Sequence, residues 1–333
     1  MTTSVLDFPS TELSRELAKK YGYDEFIIRR WIGIFGERET VRLVEAMENV
    51  PKYIRVNTIK TRVRGIGEKD VIKRLEDRGF SLSETEIPYC YEVVEEPYSA
   101  GATPEYLIGY YYVMDKSSCI PPLALAEEFS EEVTVADFAA SPGGKTTMLS
   151  QLMEERGVRG AILAIEAQEE RIPPLIDNIH RMGAKNIAVF KMDAREFPSH
   201  GFRVDHVLLD APCSGEGIIH KDESRKRSRG AKDIEFCSRL QKELVRAAVE
   251  SVKSGGTVVY STCSLTPEEN EFVIQWAIEN LPVRVERIGL PGEGGLTEVA
   301  GIELDKSLRF ARRYYPHKNR CSGFFVAKLR VLE

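Results

Sequence analysis

The chain has 333 residues, of which 42% are hydrophobic and 29% are charged, and its formal net charge is −6. This composition is ordinary for a globular protein and excludes a disordered or fibrous chain. The length exceeds what one hydrophobic core usually supports, so we expect two domains preceded by a helical bundle. The acidic balance does not indicate a polyanion binder, so any nucleic-acid contact must rest on local basic patches.

The sequence carries no signal for export or membrane insertion. The first 17 residues lack a basic segment followed by an apolar core, and no run of 18 apolar residues occurs. We therefore predict a cytoplasmic protein with no membrane contact. The absence of a C-x-x-C pair argues against a disulfide framework and against a zinc site. We expect no metal and six free thiols, at Cys90, Cys119, Cys213, Cys237, Cys263 and Cys321.

The N-terminal third is predicted to hold two small units. Residues 1–50 form a helical region, because apolar residues recur at helical spacing from 10 to 49. Residues 51–116 form a small α/β domain, in which turn signals separate short alternating segments. The predicted elements of this domain are strands at 53–58, 80–82 and 89–94 and a helix at 71–79.

Residues 117–333 show a regular alternation of strands and helices. Strands are predicted at 134–138, 160–165, 187–190, 206–209, 256–260 and 324–329. Helices are predicted from 146 and at 171–182, 234–253 and 268–280. This alternation predicts an α/β fold with a parallel, doubly wound, Rossmann-like sheet. Ligands of such sheets bind at the carboxyl ends of the strands.

The first strand of this sheet leads into a segment of small residues, DFAASPGGKTT, at 137–147. Small residues before a helix N-terminus let a nucleotide-type ligand approach the backbone. A plain tight turn is the alternative that a Gly-Gly pair leaves open. A phosphate-binding P-loop is not supported, because Ala139 stands where its first glycine must be.

An acidic residue marks the end of each of the first four strands: Asp137, Glu166, Asp193 and Asp210. In related nucleotide sites the acid after the second strand binds ribose hydroxyls. Any one of these residues alone fits an exposed carboxylate equally well. Four carboxylates at one edge favour a neutral or cationic ligand over a triphosphate, which they would repel.

Two cysteines directly follow strands: Cys213 in the segment DAPCSG and Cys263 in the segment STCS. A free cysteine is commonly a buried structural thiol. Close to Lys145 and to helix N-termini, however, the pKa of a thiol would be lowered and its thiolate would be a nucleophile. The spacing alone does not rank the two cysteines.

A nucleophilic thiol suits methylation at carbon 5 of cytosine. Carbon 5 is a poor nucleophile until another group adds at carbon 6, and a cysteine thiolate can add there. The adduct takes a methyl group from a sulfonium donor, a base removes the proton on carbon 5, and elimination frees the enzyme. Asp210, hydrogen-bonded at the N3 edge, would stabilise the electron-rich adduct.

The sequence resembles the Nop/Sun family of S-adenosyl-L-methionine-dependent RNA (cytosine-5) methyltransferases. The resemblance covers about residues 51–333 and rests on the loop at 139–147, the two cysteine motifs, Arg55-Val56-Asn57-Thr58 and Gly323-Phe324-Phe325. It implies an RNA-recognition-like domain at 51–116 and a methyltransferase domain at 117–333. Cys263 would be the nucleophile, and Cys213 would help the adduct break down.

The resemblance also implies a cofactor site for S-adenosyl-L-methionine. Glu166 would bind its ribose, Asp193 would lie near its adenine, and Arg171 matches a semi-invariant arginine. Asp210 and Lys145 would lie beside the cofactor and the target base. The remaining contacts would come from Ala139, Ala140, Ser141, Pro142, Gly143 and Gly144.

Basic residues are concentrated at 221–232 and 309–320, and the second segment includes Phe310, Tyr314 and Tyr315. Basic and aromatic side chains together fit single-stranded RNA, and a solvated charged face is the alternative for either run. A stacked base hides carbon 6, so we expect a flipped or unpaired target. We expect further contacts from Tyr53, Arg55, Lys60, Arg62 and Arg64.

The resemblance to compact archaeal-type relatives implies transfer RNA as the preferred substrate, with ribosomal RNA as the alternative, and nothing demands more than a monomer. A DNA methyltransferase would use the Pro-Cys motif alone, so the motif at Cys263 argues against it. A non-catalytic RNA-binding or ribosome-assembly factor is a further alternative. The presence of both thiols, Asp210 and the small-residue loop argues against that alternative.

Overall fold

The computed structural model describes residues 5–201 and 203–333. Three short helices come first: α1 (Glu12–Tyr21), α2 (Glu25–Phe35) and α3 (Glu37–Met47). The side chains of Thr11 and Asp24 accept hydrogen bonds from backbone N–H groups at the starts of α1 and α2. These caps explain where the two helices begin. The first four residues of the predicted helical region 1–50 lie outside the described residues.

A small antiparallel sheet follows the helices. Its elements are β1 (Lys52–Val56), α4 (Thr58–Val63), α5 (Glu68–Glu76), β2 (Ser81–Glu84), β3 (Cys90–Glu95), α6 (Pro104–Leu107) and β4 (Tyr111–Val113). The strand order is β2-β3-β1-β4. The sequence analysis did not predict α4 or β4. Six and three residues are too short for hydrophobic periodicity to stand out.

The rest of the chain forms a larger sheet with helices on both sides and a separate two-stranded sheet. Its elements are α7 (Ile120–Ala126), β5 (Glu132–Phe138), α8 (Gly144–Glu155), β6 (Arg159–Glu166), α9 (Ile172–Met182), β7 (Ile187–Lys191), β8 (Val204–Asp210), α10 (Arg225–Ser228), α11 (Ala231–Ser251), β9 (Val252–Thr262), α12 (Glu271–Asn280), β10 (Val283–Glu286), β11 (Glu293–Gly294), β12 (Glu298–Val299), β13 (Ile302–Glu303), β14 (Arg312–Tyr314), α13 (Pro316–Asn319) and β15 (Phe324–Val331).

The strand order of the larger sheet is β11-β14-β15-β9-β8-β5-β6-β7, and β10 also pairs with β15, whereas β12 and β13 form the separate two-stranded sheet. Strands β5 to β9 pair in parallel, which confirms the predicted α/β class and doubly wound sheet. Strand β15 pairs antiparallel with β9, so the predicted parallel arrangement ends there. The central strands are apolar on both faces, as helices on both sides of a sheet require.

One predicted helix begins later than its sequence pattern indicates. Residues Pro267–Glu269 form a 3-10 turn, and Asn270 adopts φ −119° and ψ −97°, so α12 begins at Glu271 rather than at 268. None of the helices in the described part of the chain is both long and apolar enough to cross a membrane.

The N-terminal helices pack against the larger sheet through buried polar contacts. Arg30 of α2 is 1% exposed and donates to both carboxylate oxygens of Glu268, at 3.0 and 2.8 Å. The indole N–H of Trp31 donates to Glu216 at 3.0 Å. Glu216 and Glu268 lie in the loops that follow β8 and β9, so α2 contacts the edge where the strands end.

The small sheet is held to the larger one by Arg55. This side chain is fully buried and donates to the carbonyl of Gly144 and to Oγ1 of Thr147, each at 3.0 Å. Burial lowers the pKa of Arg55 to about 10. The expectation that Arg55 and Tyr53 contact RNA is wrong, because Tyr53 is only 2% exposed and both side chains are needed for packing.

We expect Arg55→Ala to lower the free energy of unfolding by about 3 kcal/mol, because two charged hydrogen bonds are lost and a cavity remains. Urea titration would measure this change. Arg62→Ala is the matched control, since Arg62 is 54% exposed and pairs only with Glu155. Its effect should stay below about 1 kcal/mol. Equal effects of the two substitutions would contradict the role given to Arg55.

Candidate active site

The small-residue loop lies between β5 and α8, as predicted. Gly143 adopts φ 97°, a left-handed conformation that favours glycine, and α8 starts at the next residue. A Cβ atom on Gly144 would lie 3.3 Å from the ring of Tyr112, so the backbone here is closely covered. The loop therefore presents main chain, rather than side chains, to the space beside the helix N-terminus.

A cavity of about 380 Å³ opens in front of this loop. Seven predicted site residues line it: Ala139, Ala140, Ser141, Pro142, Gly144, Lys145 and Asp210. The other wall comes from the segment that links the two sheets and includes Tyr112, Met114 and Asp115. Gly143, Glu166, Arg171, Asp193, Cys213 and Cys263 do not line the cavity. The site thus lies between the two sheets, at the carboxyl ends of the strands.

Glu166 ends β6 and keeps one buried oxygen without a hydrogen-bond partner, Oε2. Arg171 approaches this oxygen at 3.8 Å, beyond hydrogen-bond distance. Arg171 instead donates to the carbonyl of Ser141 at 2.8 Å, and the Ser141 hydroxyl donates back to the carbonyl of Arg171 at 2.8 Å. An unsatisfied buried carboxylate oxygen beside the loop is a suitable acceptor for ligand hydroxyl groups.

Asp193 follows β7, but its carboxylate is engaged by a neighbour. The guanidinium of Arg195 donates to it at 2.6 Å, and Arg195 also pairs with Glu243 at 2.7 Å. The hydrogen bonds from Arg195 hold the pKa of Asp193 below its usual value, although partial burial opposes them. The sequence analysis did not predict Arg195 as a partner. Its ion pair binds the Asp193 carboxylate, which was expected to face a ligand.

Asp137 lies at the base of the cavity and is 1% exposed. It accepts a hydrogen bond of 2.6 Å from Thr146. Burial raises the pKa of Asp137 to about 7, and the charges of Asp210 and Glu166 add to this effect. Three of the four predicted acids, Asp137, Glu166 and Asp210, therefore lie close enough to affect one another, whereas the carboxylate of Asp193 is bound by Arg195.

Lys145 and Asp210 form an ion pair at the cavity wall, with Nζ and Oδ2 2.6 Å apart. The hydroxyl of Ser261 donates to the other oxygen of Asp210 at 2.7 Å. Burial lowers the pKa of Lys145, but the charge of Asp210 and the hydrogen bond to it outweigh burial, and the charge of Cys263 adds to them. The net effect is a raised pKa, so Lys145 stays protonated.

The two predicted cysteines lie side by side, with their sulfur atoms 3.1 Å apart. The hydrogen bond with Cys263, together with burial, raises the pKa of the Cys213 thiol well above its usual value. For Cys213 the expected lowering of the pKa is therefore wrong, because the neighbouring sulfur and burial outweigh any nearby cation. All six cysteines of the chain are free thiols.

A buried carboxylate, Glu269, joins the two cysteine segments and was missed by the sequence analysis. It accepts hydrogen bonds from the backbone N–H of Ser214 at 2.8 Å and from the hydroxyl of Ser264 at 2.8 Å. Gln241 donates to it at 3.0 Å. A signal was present in the Pro-Glu-Glu-Asn-Glu segment after Cys263, where four polar residues occupy the beginning of a predicted helix.

Gly217 and Gly323 pack the end of the chain against the cysteine loops. A Cβ on Gly217 would lie 2.1 Å from the carbonyl of Gly323 and 2.8 Å from that of Cys263. The N–H of Gly217 donates to the Cys263 carbonyl at 2.9 Å. The predicted Gly323-Phe324-Phe325 motif thus begins at a point where only a residue without a side chain fits, and Lys145 lies over the Phe324 ring at 5.5 Å.

Several residues expected to bind RNA are buried instead. Tyr314 and Tyr315 are 3% and 6% exposed, and Arg313 is fully buried in an ion pair with Glu271. Lys226 is 8% exposed and pairs with Glu48. These four side chains are packed in the core, so their basic and aromatic character serves folding. The exposed basic residues of the two runs are Lys221, Arg227, Lys232, Arg309, Lys318 and Arg320.

The chain is similar to known methyltransferases. A family model described as 16S rRNA methyltransferase RsmB/F matches residues 123–330. The 28S rRNA (cytosine(4447)-C(5))-methyltransferase of Homo sapiens is 40% identical over 96% of this chain and 39% of its own length. Ribosomal RNA small subunit methyltransferase F of Escherichia coli is 37% identical over 84% of this chain and 57% of its own length. The chain therefore spans 39% and 57% of the length of these two relatives.

Solved structures agree with these matches. A methyltransferase homolog protein from Pyrococcus horikoshii is 39% identical and superposes with a TM-score of 0.84, over 97% of this chain and 100% of that chain. NSun6 from Pyrococcus horikoshii shares the fold at 24% identity, with a TM-score of 0.77 over 98% of this chain and 99% of that chain. Sequence, fold and the paired cysteine loops agree, and the chain belongs to the RsmB/F family of methyltransferases, which the Nop/Sun resemblance predicted.

Proposed function

We propose that this chain is an S-adenosyl-L-methionine-dependent RNA (cytosine-5) methyltransferase with a cysteine thiolate as covalent catalyst. The observation that carries the proposal is the pair of sulfur atoms, 3.1 Å apart, in the loops that follow β8 and β9. Lys145 and Asp210 lie at the same edge of the sheet, next to a cavity closed by the small-residue loop. The name of the human relative, 28S rRNA (cytosine(4447)-C(5))-methyltransferase, supports the same reaction.

The residues around the cavity fit S-adenosyl-L-methionine. The unpartnered Oε2 of Glu166 is placed to accept from ribose hydroxyls, and the backbone at 139–145 would contact the rest of the cofactor. The carboxylate of Asp210, which lines the cavity, would favour its positive charge. Arg171 would hold the Ser141 carbonyl in place, and Asp193 would lie at the far end, near the adenine. When bound, the cofactor supplies an electrophilic methyl group for carbon 5.

Cys263 would be the nucleophile, as the family resemblance implies, with the Cys213 sulfur 3.1 Å away. The Cys213 thiol can then donate to the Cys263 sulfur. The Cys263 thiolate forms a bond to carbon 6, and the electron pair of the C5–C6 double bond moves to carbon 5. After carbon 5 is methylated, a base takes its proton, the C5–C6 double bond re-forms and the C6–S bond breaks.

Lys145 and Asp210 would bind the target base. Asp210 receives hydrogen bonds from Lys145 and Ser261, which fix the orientation of its carboxylate. A carboxylate held in this way can accept or share a proton at the N3 edge, and the Lys145 charge stabilises electron density that builds up in the adduct. Exposed Lys221, at the cavity wall, would contact the RNA backbone.

Ribosomal RNA is the substrate we propose, because the curated relatives named above methylate ribosomal RNA. The preference for transfer RNA predicted from the sequence stays a prediction, as do cytoplasmic location and a monomeric state. We further propose that residues 51–116 act as an RNA-guiding domain beside a catalytic domain at 117–333. The cavity between the two sheets supports this division of roles.

We expect Cys263→Ala to reduce 5-methylcytidine formation at least about 1000-fold, because the nucleophile is lost. In Cys213→Ala a protein–RNA adduct should accumulate, since release of the Cys263 sulfur is no longer assisted. Transfer of labelled methyl groups to a total RNA pool, separated by size and by denaturing gel, measures both effects and identifies the methylated RNA class.

Cys237→Ala is the matched control, because Cys237 lies in α11, outside the cysteine loops, and its loss should leave turnover unchanged. Full activity of Cys263→Ala would contradict the nucleophile assignment. Label found only in the transfer RNA fraction would contradict the choice of ribosomal RNA.

Glu166→Gln should weaken binding of S-adenosyl-L-methionine about 10- to 100-fold, because a charged acceptor for two hydroxyl groups is replaced by a neutral one. Calorimetric titration of the free protein with the cofactor gives the dissociation constant. Glu170→Gln, at an exposed position four residues away, should bind like the wild type. Unchanged affinity in Glu166→Gln would place the ribose elsewhere.

Stability should also depend on the proton of Asp137. Its pKa is about 7 in the folded protein and near 3.8 in the unfolded chain, so the folded state binds more protons between these values. The stability that depends on this bound proton is therefore fully present below pH 3.8 and is lost as the pH rises to about 7. Compared with the wild type, Asp137→Asn should gain stability over this range, by no more than about 4 kcal/mol. Urea titrations at pH 5 and pH 8 test the difference, and a constant offset would contradict it.

A further inference from the structure

Glu269 is a buried carboxylate that contacts both cysteine segments at once. It is 0% exposed. On the Cys213 side it accepts from the backbone N–H of Ser214 at 2.8 Å and from the hydroxyl of the same residue. On the Cys263 side it accepts from the hydroxyls of Ser264 at 2.8 Å and Thr266 at 3.1 Å. One carboxylate therefore spans two loops that are 50 residues apart in the sequence.

The donors around Oε2 of Glu269 require an acceptor oxygen at that position. The N–H of Ser214 and the side-chain amide of Gln241 donate to Oε2, and neither group can accept in return. The Gln241 amide also donates to the carbonyl of Pro212 at 2.8 Å, directly before Cys213. A glutamine at position 269 would keep one acceptor oxygen for the N–H of Ser214 and the Gln241 amide, and would put an amide donor where Oε1 accepts from three hydroxyls. Those hydroxyls would have to turn and accept instead, so the acceptor that the two cysteine segments share would be lost.

The geometry points to Glu269 as a positioning residue that sets the distance between the Cys213 and Cys263 sulfurs, and this role rests on the proposed function. The carboxylate fixes Ser214 and Ser264, each the residue that follows a cysteine. A sulfur separation of 3.1 Å lets the Cys213 thiol donate to the Cys263 sulfur. Glu269 touches neither base nor cofactor in this role and acts only through the two cysteines.

The contact between the sulfurs matters most when the enzyme releases its product. On release the C6–S bond breaks and its electron pair moves to the Cys263 sulfur. A hydrogen bond from Cys213 stabilises that leaving thiolate. Without the contact, the bond to carbon 6 still forms but breaks slowly. Loss of Glu269 should therefore trap the protein on RNA, which is an effect that simple destabilisation does not produce.

Glu268 provides a matched control at the adjacent position. It is also buried, at 1% exposure, and it is also a carboxylate with strong donors. Its side chain, however, accepts hydrogen bonds from Arg30 of α2 and from the backbone N–H of Leu6, and among the described residues it accepts none from either cysteine segment. Removing its charge costs stability for the same general reason as at position 269. Substitutions at 268 and 269 should therefore both lower stability, but only the one at 269 should disturb the contact between the two sulfur atoms.

The test compares wild type, Glu269→Gln, Glu268→Gln and Gln241→Met. For each protein, kcat, the fraction trapped as a denaturation-resistant RNA adduct, and the urea midpoint are measured. In Glu269→Gln we expect kcat to fall on the order of 100-fold while adduct accumulates, because a small displacement of reacting groups has effects of this size. Gln241→Met should also lower kcat and raise the trapped fraction, but by less than Glu269→Gln does.

Glu268→Gln should lower the urea midpoint, with kcat per folded molecule within about twofold of the wild type and no adduct. If Glu269→Gln forms no adduct and loses activity only in proportion to its folded fraction, the positioning role is overturned. If Glu269→Gln does not fold, the same criterion applies to Gln241→Met: adduct formation supports the positioning role, and loss of activity only in proportion to the folded fraction overturns it. A wild type that methylates no RNA would overturn the proposed function itself, which separates the two failures.

Discussion

The parallel register of β8 and β9 is the constraint on which the site depends. It sets Asp210 opposite Ser261, so the two strands end side by side. Cys213 follows three residues after Asp210, and Cys263 two residues after Ser261. A shift of this register by one residue would turn the strand side chains to opposite faces and separate the sulfurs. The antiparallel pairing of β15 on the outer side of β9 helps fix the register, because it buries β9 between two neighbours.

The sequence predicted those parts of the protein that depend on chain-local patterns. The alternation of apolar strands and helices defined the sheet, and the strand ends located the loop, the acids and both cysteines. Such patterns do not reveal contacts between residues that are distant in the sequence and meet only in the folded chain. Arg55 was expected to contact RNA but is buried and donates to the carbonyl of Gly144. Tyr315 was expected to stack on RNA bases but is buried in the core. Sequence spacing does not distinguish a cation that binds a backbone carbonyl from one that binds a phosphate.

The acids at the strand ends differ because each has a different partner. The carboxylate of Asp210 lies 2.6 Å from Nζ of Lys145, whereas Asp137 accepts a hydrogen bond from the hydroxyl of Thr146 and burial raises its pKa to about 7. Asp193 pairs with Arg195, and Glu166 keeps one oxygen without a hydrogen-bond partner. Four carboxylates within one edge would repel each other strongly if all were charged and unpaired. Ion pairs at two of them and a raised pKa at a third reduce this repulsion, and the site can still accept a positive ligand.

The turn from 267 to 271 explains how distant parts of the chain meet at the cysteines. Glu268 pairs with Arg30 of the N-terminal helices, Glu269 holds both cysteine loops, and Glu271 pairs with Arg313 of β14. In one continuous helix, residues 268 and 271 would lie on the same face. The break at Asn270 lets their side chains reach opposite partners, and this break is why the helix predicted from 268 begins at Glu271. The N-terminal helices and the C-terminal strands are therefore anchored at the same buried turn as the two cysteine loops, each through a separate carboxylate, and only Glu269 contacts the residues that follow the cysteines.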